Sequence, residues 1–261
     1  NVGLSTEGQS VTLVYVDDTE GWKNVQDSTS NVVGNPFIIA TGGTETTSGD
    51  DKIHTFTGPG TFCVSQVGNP AGSDSVEYAV VAGGGGAGGS QGGGGGAGGF
   101  RMASPSLAPA TYPAKPLAAP ANVTVTATSF PITVGGGGAG SPSGPGSNGT
   151  PGNNSTFSSI TSTGGGGGGT TGSPTSGTNA SNPTPGAGYA EGLPGGSGGG
   201  TRGTYINPGS PNPANNYYNP GGVNVIANGN TPPVSPSQGN RGGGGYDANA
   251  QDSTGGGGGG A

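Results

Sequence analysis

The sequence predicts an all-β N-terminal part followed by a glycine-rich slab of packed polyglycine II helices with long polar loops and no α-helix. Three observations support this prediction. Glycine accounts for 65 of the 261 residues and is concentrated in pure runs. Short stretches rich in β-branched residues lead directly into several of these runs. No window of the sequence has the periodicity of an amphipathic helix.

The N-terminal part is predicted from short apolar stretches separated by Gly, Pro, Asn and Asp, which favour turns. Asp17–Gly21 is expected to be such a turn, with Asp17 and Asp18 capping it rather than binding calcium. The predicted strands are Ser10–Val16, Trp22–Val25, Phe37–Ala40, Lys52–Thr57, Thr61–Val67 and Val76–Ala82. Four further strands are predicted among the glycine runs: Asn122–Thr128, Phe130–Val134, Phe157–Thr161 and Val223–Ala227.

The glycine runs are the main element of the predicted slab. They are Gly83–Gly86, Gly92–Gly96, Gly135–Gly138, Gly164–Gly169, Gly198–Gly200, Gly242–Gly245 and Gly255–Gly260. Because glycine has no Cβ, extended chains can approach closely and pair through their N–H and C=O groups. A run of six residues spans about 19 Å at about 3.1 Å per residue, so runs of similar length can stack side by side.

Composition and charge exclude several classes of function. A formal net charge of −7 with six dispersed basic residues argues against nucleic-acid binding. No apolar stretch approaches the length needed to insert into a membrane. The one cysteine, Cys63, and the one histidine, His54, are expected to be strand side chains, so we predict no metal site and no cofactor. The glycine runs lack the context of a nucleotide-binding loop, and we predict no enzyme.

The connectors between glycine runs carry the candidate binding residues. The long connectors are Arg101–Ala121, Thr170–Pro194 and Thr201–Gly239, and they are rich in Pro, Asn and Tyr. Tyrosine supplies large contact area at low entropic cost, while asparagine adds adaptable hydrogen bonding. The candidate receptor-binding residues are therefore Tyr112, Tyr189, Tyr205, Asn215, Asn216, Tyr217 and Tyr218. The alternative for a single tyrosine is that its ring packs over glycine backbone.

Several motifs resemble the distal regions of bacteriophage tail fibres and their tip adhesins, of a marine phage type. Leu13–Val25 resembles a strand and Gly-Trp closing pattern of such fibres, and Lys52–Ser65 begins a recurrent glycine-rich module. The similarity continues through Tyr78–Gly86, Gly92–Arg101, Pro131–Gly138, Gly152–Gly169 and Ser235–Gly245. The slab as a whole resembles the polyglycine II sandwich of T-even-type tip adhesins.

This resemblance implies an extracellular protein of the virion, at the distal end of a tail fibre. It implies a homotrimer whose loops bind a receptor on the bacterial surface, either an outer-membrane protein or a glycan. It also implies three regions: residues 1–30 as the end of a β fibre or stem, 31–82 as a small β domain, and 83–261 as the glycine-rich domain.

Two other functions are compatible with the composition. A structural virion or extracellular filament protein would use the slab for stiffness, but its connectors would be uniform, whereas these differ greatly in length and composition. An ice-binding protein would display a flat face of packed glycine helices, but this requires a regular Gly-x-x period with repeated Thr or Ala, which the pure glycine runs lack.

Overall fold

Strands of the computed structural model form wherever β-branched and aromatic residues alternate with turn residues. The structure describes residues 11–19, 21–27, 36–69, 72–89, 92–104, 118–119, 121–142, 147–170, 192–201, 227–247 and 253–261. Across these residues there is no α-helix, which confirms the predicted all-β fold class with a glycine-rich part. The strands are β1 (Val11–Tyr15), β2 (Trp22–Asp27), β3 (Ile39–Thr41), β4 (Thr44–Ser48), β5 (Asp51–Thr55), β6 (Gly60–Gln66), β7 (Ser75–Val76), β8 (Tyr78–Val81), β9 (Phe100–Ala103), β10 (Ala118–Ala119), β11 (Val123–Thr124), β12 (Ser129–Thr133), β13 (Ser155–Phe157), β14 (Ile160–Ser162), β15 (Tyr246–Asp247) and β16 (Ser253–Thr254).

The chain forms two units. Unit 1 comprises Asn1–Thr41, Cys63–Val76 and Thr124–Ser129, and unit 2 comprises Gly42–Phe62, Glu77–Val123 and Phe130–Ala261. The glycine segments of the slab therefore share a unit with residues 42–62. The predicted three-region organisation stays a prediction.

Unit 1 contains the β1–β2 hairpin and the antiparallel pairing of β3 with the second half of β6. Ala40, Val64 and Val125 are its buried apolar side chains. Cys63 is a strand residue, as predicted, and is half-buried with Sγ 3.5 Å from Ser129 Oγ. Asp17 Oδ1 accepts a hydrogen bond from Thr19 N at 2.8 Å, so this aspartate caps its turn as expected.

Unit 2 contains an aromatic cluster between its strands. The rings of Phe62, Phe130 and Phe157 lie 6.0–6.5 Å apart, and His54 packs edge-on against Phe62 at 5.1 Å. Edge-to-face pairs of this kind add to the stability that ring burial provides. His54 is a β5 strand side chain, as predicted, and its Nδ1 lies 2.8 Å from Gly42 O.

Sequence patterns missed some strands and merged others. Phe157–Thr161 was predicted as one strand, but the structure has a hairpin of β13 and β14, because Ser158 adopts a positive φ of 53° at the turn. β4 and β9 were not predicted, although β4 pairs with β5 along its whole length. Of predicted strand Val223–Ala227, only Ala227 lies within the described residues, and it is not in a strand.

The glycine-rich part forms eight extended segments within the described residues. They are segment 1 (82–89), segment 2 (92–99), segment 3 (135–141), segment 4 (147–154), segment 5 (163–170), segment 6 (195–201), segment 7 (239–245) and segment 8 (255–261). Segment 1 donates to segment 2 from residues 82, 85 and 88, and segment 2 donates to segment 5 from residues 93, 96 and 99. Hydrogen bonds that repeat every three residues define helices with three residues per turn, which is the polyglycine II geometry.

Hydrogen bonds between segments arrange them in two rows. One row runs 3-1-2-8 and the other runs 4-5-6-7, and segments of one row sit in the grooves of the other. Segment 5, for example, bonds to segments 1 and 2 across the rows and to segments 4 and 6 within its own row. Segments 1, 3, 5, 6 and 7 run one way, and segments 2, 4 and 8 run the opposite way. The slab is thus a two-layer lattice held by backbone hydrogen bonds.

Close backbone approach explains why the interior of the slab is glycine. A methyl group built on Gly85, Gly165 or Gly168 overlaps a backbone carbonyl of a neighbouring segment. Alanine occurs where the lattice leaves space. Ala87 and Ala139 lie three residues after Gly84 and Gly136, positions at which an added methyl group meets no atom closer than 3.5 Å.

All three predicted connectors are shorter than expected. Thr170 belongs to segment 5, and Leu193 N donates to Gly167 O at 2.7 Å in the same segment. Arg101–Ala103 belongs to β9, which pairs with β8. Residues 228–238 fold against segment 6, where Asn230 N donates to Gly196 O at 2.7 Å and Thr231 N donates to Gly195 O at 3.0 Å. Backbone N–H groups of these residues donate hydrogen bonds to carbonyl groups of the slab. A sequence rich in Pro and Asn does not reveal this role, because the bonds are made by the backbone.

The β4–β5 hairpin carries an ion pair that should titrate. Lys52 Nζ lies 2.6 Å from Glu45 Oε2, and its hydrogen bond holds the pKa of Glu45 below the ordinary value of 4.5, with a smaller opposing effect of desolvation. A depressed carboxyl pKa stabilises the folded hairpin above the ordinary value, and this stabilisation is lost as the pH falls through the folded pKa.

We therefore expect Lys52→Met to raise the pKa of Glu45 and to remove part of the hairpin's acid sensitivity. Carboxyl carbon NMR shifts followed from pH 7 to pH 2 measure this directly. Thr47→Val, opposite Lys52 in the register, is the matched control and should leave the Glu45 titration unchanged. An unaltered Glu45 titration in Lys52→Met would contradict the ion pair.

Candidate functional site: the distal end of the glycine slab

Strands β8, β9, β12, β13 and β14 of unit 2 adjoin one end of the slab, called the strand end, whereas the paired β15 and β16 adjoin segments 7 and 8 at the other end. β8 precedes segment 1, β12 precedes segment 3, β14 precedes segment 5, and segment 2 leads into β9. At the strand end Ser162 Oγ donates to Val80 O at 2.7 Å, and the Ser162 side chain is fully buried. The opposite end of the slab is called the distal end below.

Two threonines close the segments at the distal end. Thr170 ends segment 5, where its Oγ1 donates to Gly89 O at 2.6 Å and its N–H donates to Asn148 Oδ1 at 3.1 Å. Thr201 ends segment 6, where its Oγ1 accepts from Gly245 N at 3.1 Å. Both side chains are at most 1% exposed. The hydroxyls therefore satisfy backbone groups that the lattice leaves unpaired at its edge.

The distal end is where most connectors leave the slab. Segments 3, 5 and 6 end there, and the described chain resumes at residues 147, 192 and 227. Gly245 at the end of segment 7 lies there too, beside Thr201. By contrast, the connector after residue 104 begins directly after β9, at the strand end of the slab.

The predicted site residues all lie outside the described residues, so their own positions stay predictions. Their flanking residues separate them into two groups. Tyr189 follows Thr170 in the chain, and Tyr205, Asn215, Asn216, Tyr217 and Tyr218 follow Thr201. Tyr112 follows Ser104 instead, at the strand end. In chain order, six candidates follow segment ends that lie at the distal end, whereas Tyr112 follows a residue at the strand end.

Sequence reasoning missed the residues that fix the ends of the segments. Gln238 is 1% exposed; its Oε1 accepts from Thr163 N at 2.8 Å and its Nε2 donates to Pro232 O at 3.1 Å. A hydroxyl residue directly after a glycine run, as in Gly169-Thr170 and Gly200-Thr201, is a signal that predicts a segment end. Gln238 had no such signal, because its partner is 75 positions away.

The described residues show neither a metal cluster nor a membrane-spanning helix. The described ranges hold no group of three or more His, Cys, Asp or Glu that could hold a metal ion. Nor do those ranges contain a helix with the length and hydrophobicity to cross a bilayer.

The geometry defines the class of protein: an all-β protein whose glycine-rich part is a two-row polyglycine II slab with connectors grouped at one end. The model of the glycine-rich domain family matches residues 55–261, and the chain therefore belongs to this family. No curated protein and no solved structure matches the chain.

Proposed function

We propose that this protein is a bacteriophage tail fibre tip that binds a receptor on the bacterial surface. In this proposal the glycine slab is a rigid mount, and the connectors at its distal end carry the receptor-binding side chains. The protein acts extracellularly as part of the virion, as a homotrimer, and binds without catalysis. The receptor is an outer-membrane protein or a glycan.

The observation that carries the proposal is the grouping of connectors at the distal end. Segments 3, 5 and 6 all end there, so the three connectors that follow them start from one small area. The buried caps Thr170 and Thr201 hold the starting points after segments 5 and 6 by side-chain hydrogen bonds. Anchored loop ends reduce the conformational entropy lost on binding a partner.

The construction of the slab also supports a recognition role. Its segments are held together by backbone hydrogen bonds between neighbouring segments, so connector residues are free to differ without loss of a hydrophobic core. A homotrimer would present three such ends, and linked weak contacts give much higher avidity than one contact alone.

Alanine at Tyr205, Tyr217 and Tyr218 together should lower binding to host cells at least tenfold and leave the slab's melting temperature unchanged. Loss of large aromatic contacts from a binding surface typically has effects of this size. Binding of labelled protein to a panel of aquatic bacteria measures the result. Tyr112→Ala is the matched control, because its connector starts at the strand end; it should bind normally.

Two other outcomes would contradict parts of this proposal. Equal binding by the triple variant and the parent would exclude these tyrosines from the receptor contact. A folded parent that binds no strain, and forms head-to-tail polymers in micrographs, would favour a structural filament protein.

A further inference from the structure

The β1–β2 hairpin of unit 1 displays two aromatic side chains side by side. Tyr15 and Trp22 are directly opposite each other in the register, with ring centroids 5.4 Å apart and planes at 63°. Trp22 is 67% exposed and Tyr15 is 46% exposed. Leu13, two residues before Tyr15 on the same face, is also exposed. Exposed apolar side chains that lie together in one patch, rather than singly, mark an interaction surface.

The turn that follows β1 holds the pair in place. Val16 N donates to Gly21 O at 2.9 Å and Gly21 N donates to Asp17 O at 2.7 Å, which closes the turn. The Tyr15 hydroxyl donates to Asp18 Oδ1. The Tyr15 ring is thus held through its hydroxyl and through its inclined contact with the Trp22 ring. Two aromatic faces and two carboxylates are presented on one short, hydrogen-bonded hairpin.

We propose that Tyr15, Trp22 and the carboxylates of the Asp17–Asp18 turn form a binding site for a neutral saccharide. The electron-rich faces of the two rings suit the polarised C–H groups on one side of a pyranose ring. Carboxylate oxygens accept hydrogen bonds from sugar hydroxyls. The residues belong to unit 1 and not to the slab connectors, so this site does not rest on the proposed function.

Charge distinguishes this ligand from the alternatives. The net charge of −7 and the two adjacent carboxylates disfavour a sialylated, sulfated or phosphorylated glycan. They also disfavour a two-fold contact of this hairpin with a second copy, because the cores of protein interfaces are depleted in charged residues and such a contact would bring the same carboxylates together. Neutral hexoses and N-acetylhexosamines fit the pair of rings and the acceptors beside them.

The full chain provides its own probe, because Trp22 is its single tryptophan. Titration with methyl glycosides of glucose, galactose, mannose and N-acetylglucosamine, and with their short oligomers, should change tryptophan emission saturably for at least one of them. Calorimetry of the same sugar should lose detectable binding in Trp22→Ala and weaken at least fivefold in Tyr15→Ala. Phe37→Ala removes another highly exposed aromatic of unit 1, at 71% exposure, and should bind like the parent.

The competing results are equally specific. No saturable emission change with any neutral sugar would overturn the proposal. An emission shift of the parent that depends on protein concentration without sugar, together with an assembly mass that falls to that of the single chain in Trp22→Ala, would assign the surface to contacts between copies of the chain. Host-cell binding that needs the connector tyrosines but not Trp22 would leave the proposed function in place, so the two proposals fail separately.

Discussion

Gly168→Ala is expected to destabilise the protein by more than about 3 kcal/mol, among the larger effects of single substitutions. Gly168 lies in segment 5, in the interior of the slab, and is buried. A methyl group there overlaps the carbonyl of Gly93 and lies 2.8 Å from Gly88 N. These two groups bond to each other at 2.9 Å, so any shift that relieves the overlap also breaks a hydrogen bond between segments 1 and 2.

The matched control is Gly137→Ala in segment 3. Its methyl group meets no atom closer than Gly84 O at 3.6 Å, an ordinary van der Waals contact. Since both substitutions restrict the unfolded chain equally, the control should be stabilised by about 0.4–1 kcal/mol. Thermal and denaturant unfolding of the pair measures the difference. Similar stabilities for the two variants would contradict the close backbone packing around Gly168 in the interior of the slab.

Gln238→Leu is expected to destabilise the protein by about 2–5 kcal/mol, because it leaves buried polar groups without partners. The Gln238 side chain is one of the largest fully buried side chains in the structure. Its amide accepts from Thr163 N and donates to Thr163 Oγ1 and to Pro232 O. Leucine has a similar size but supplies neither the acceptor nor the donors.

Ser237→Ala is the control for this substitution. Its Oγ donates only a local hydrogen bond, to Gly239 O at 2.9 Å, in a half-buried setting. The loss of one such bond should lower stability by about 1 kcal/mol or less. Hydrogen exchange at Thr163 and Phe100, whose N–H donates to Gln238 O, locates the damage. Unfolding curves that coincide for Gln238→Leu and the parent would show that the amide network contributes nothing.

The fold class was predictable because glycine runs allow few alternatives. Without Cβ atoms or charge, runs such as Gly164–Gly169 can become ordered only by pairing with other backbones. The strands before the runs were predictable from their β-branched residues. The turn at Ser158 was not, since a positive φ in a serine depends on the hairpin around it.

The arrangement of segments was not predictable. The glycine runs pair through backbone N–H and C=O groups, which every glycine has. The sequence therefore does not show which runs are neighbours in the two rows. The candidate site divides in the same way. Tyrosine-rich connectors are visible in composition, but the directions of segments 5 and 6 are needed to know that Thr170 and Thr201, after which two of them begin, lie at the distal end. The exposure of the Tyr15–Trp22 pair likewise depends on tertiary structure.

Because the hydrogen bonds of the slab repeat every three residues, more than one register of a segment is possible. If segment 5 slid by three residues along its axis, each interior N–H would meet an equivalent carbonyl, and most of the slab's hydrogen bonds would form again. Glycine by itself therefore tolerates several near-equivalent frames. The residues that distinguish them are the rare side chains at the segment ends, Gln238 and Thr163 at one end and Thr170 and Thr201 at the other. The side-chain hydrogen bonds of these few residues select one register of the segments. The register in turn determines at which residue each connector begins.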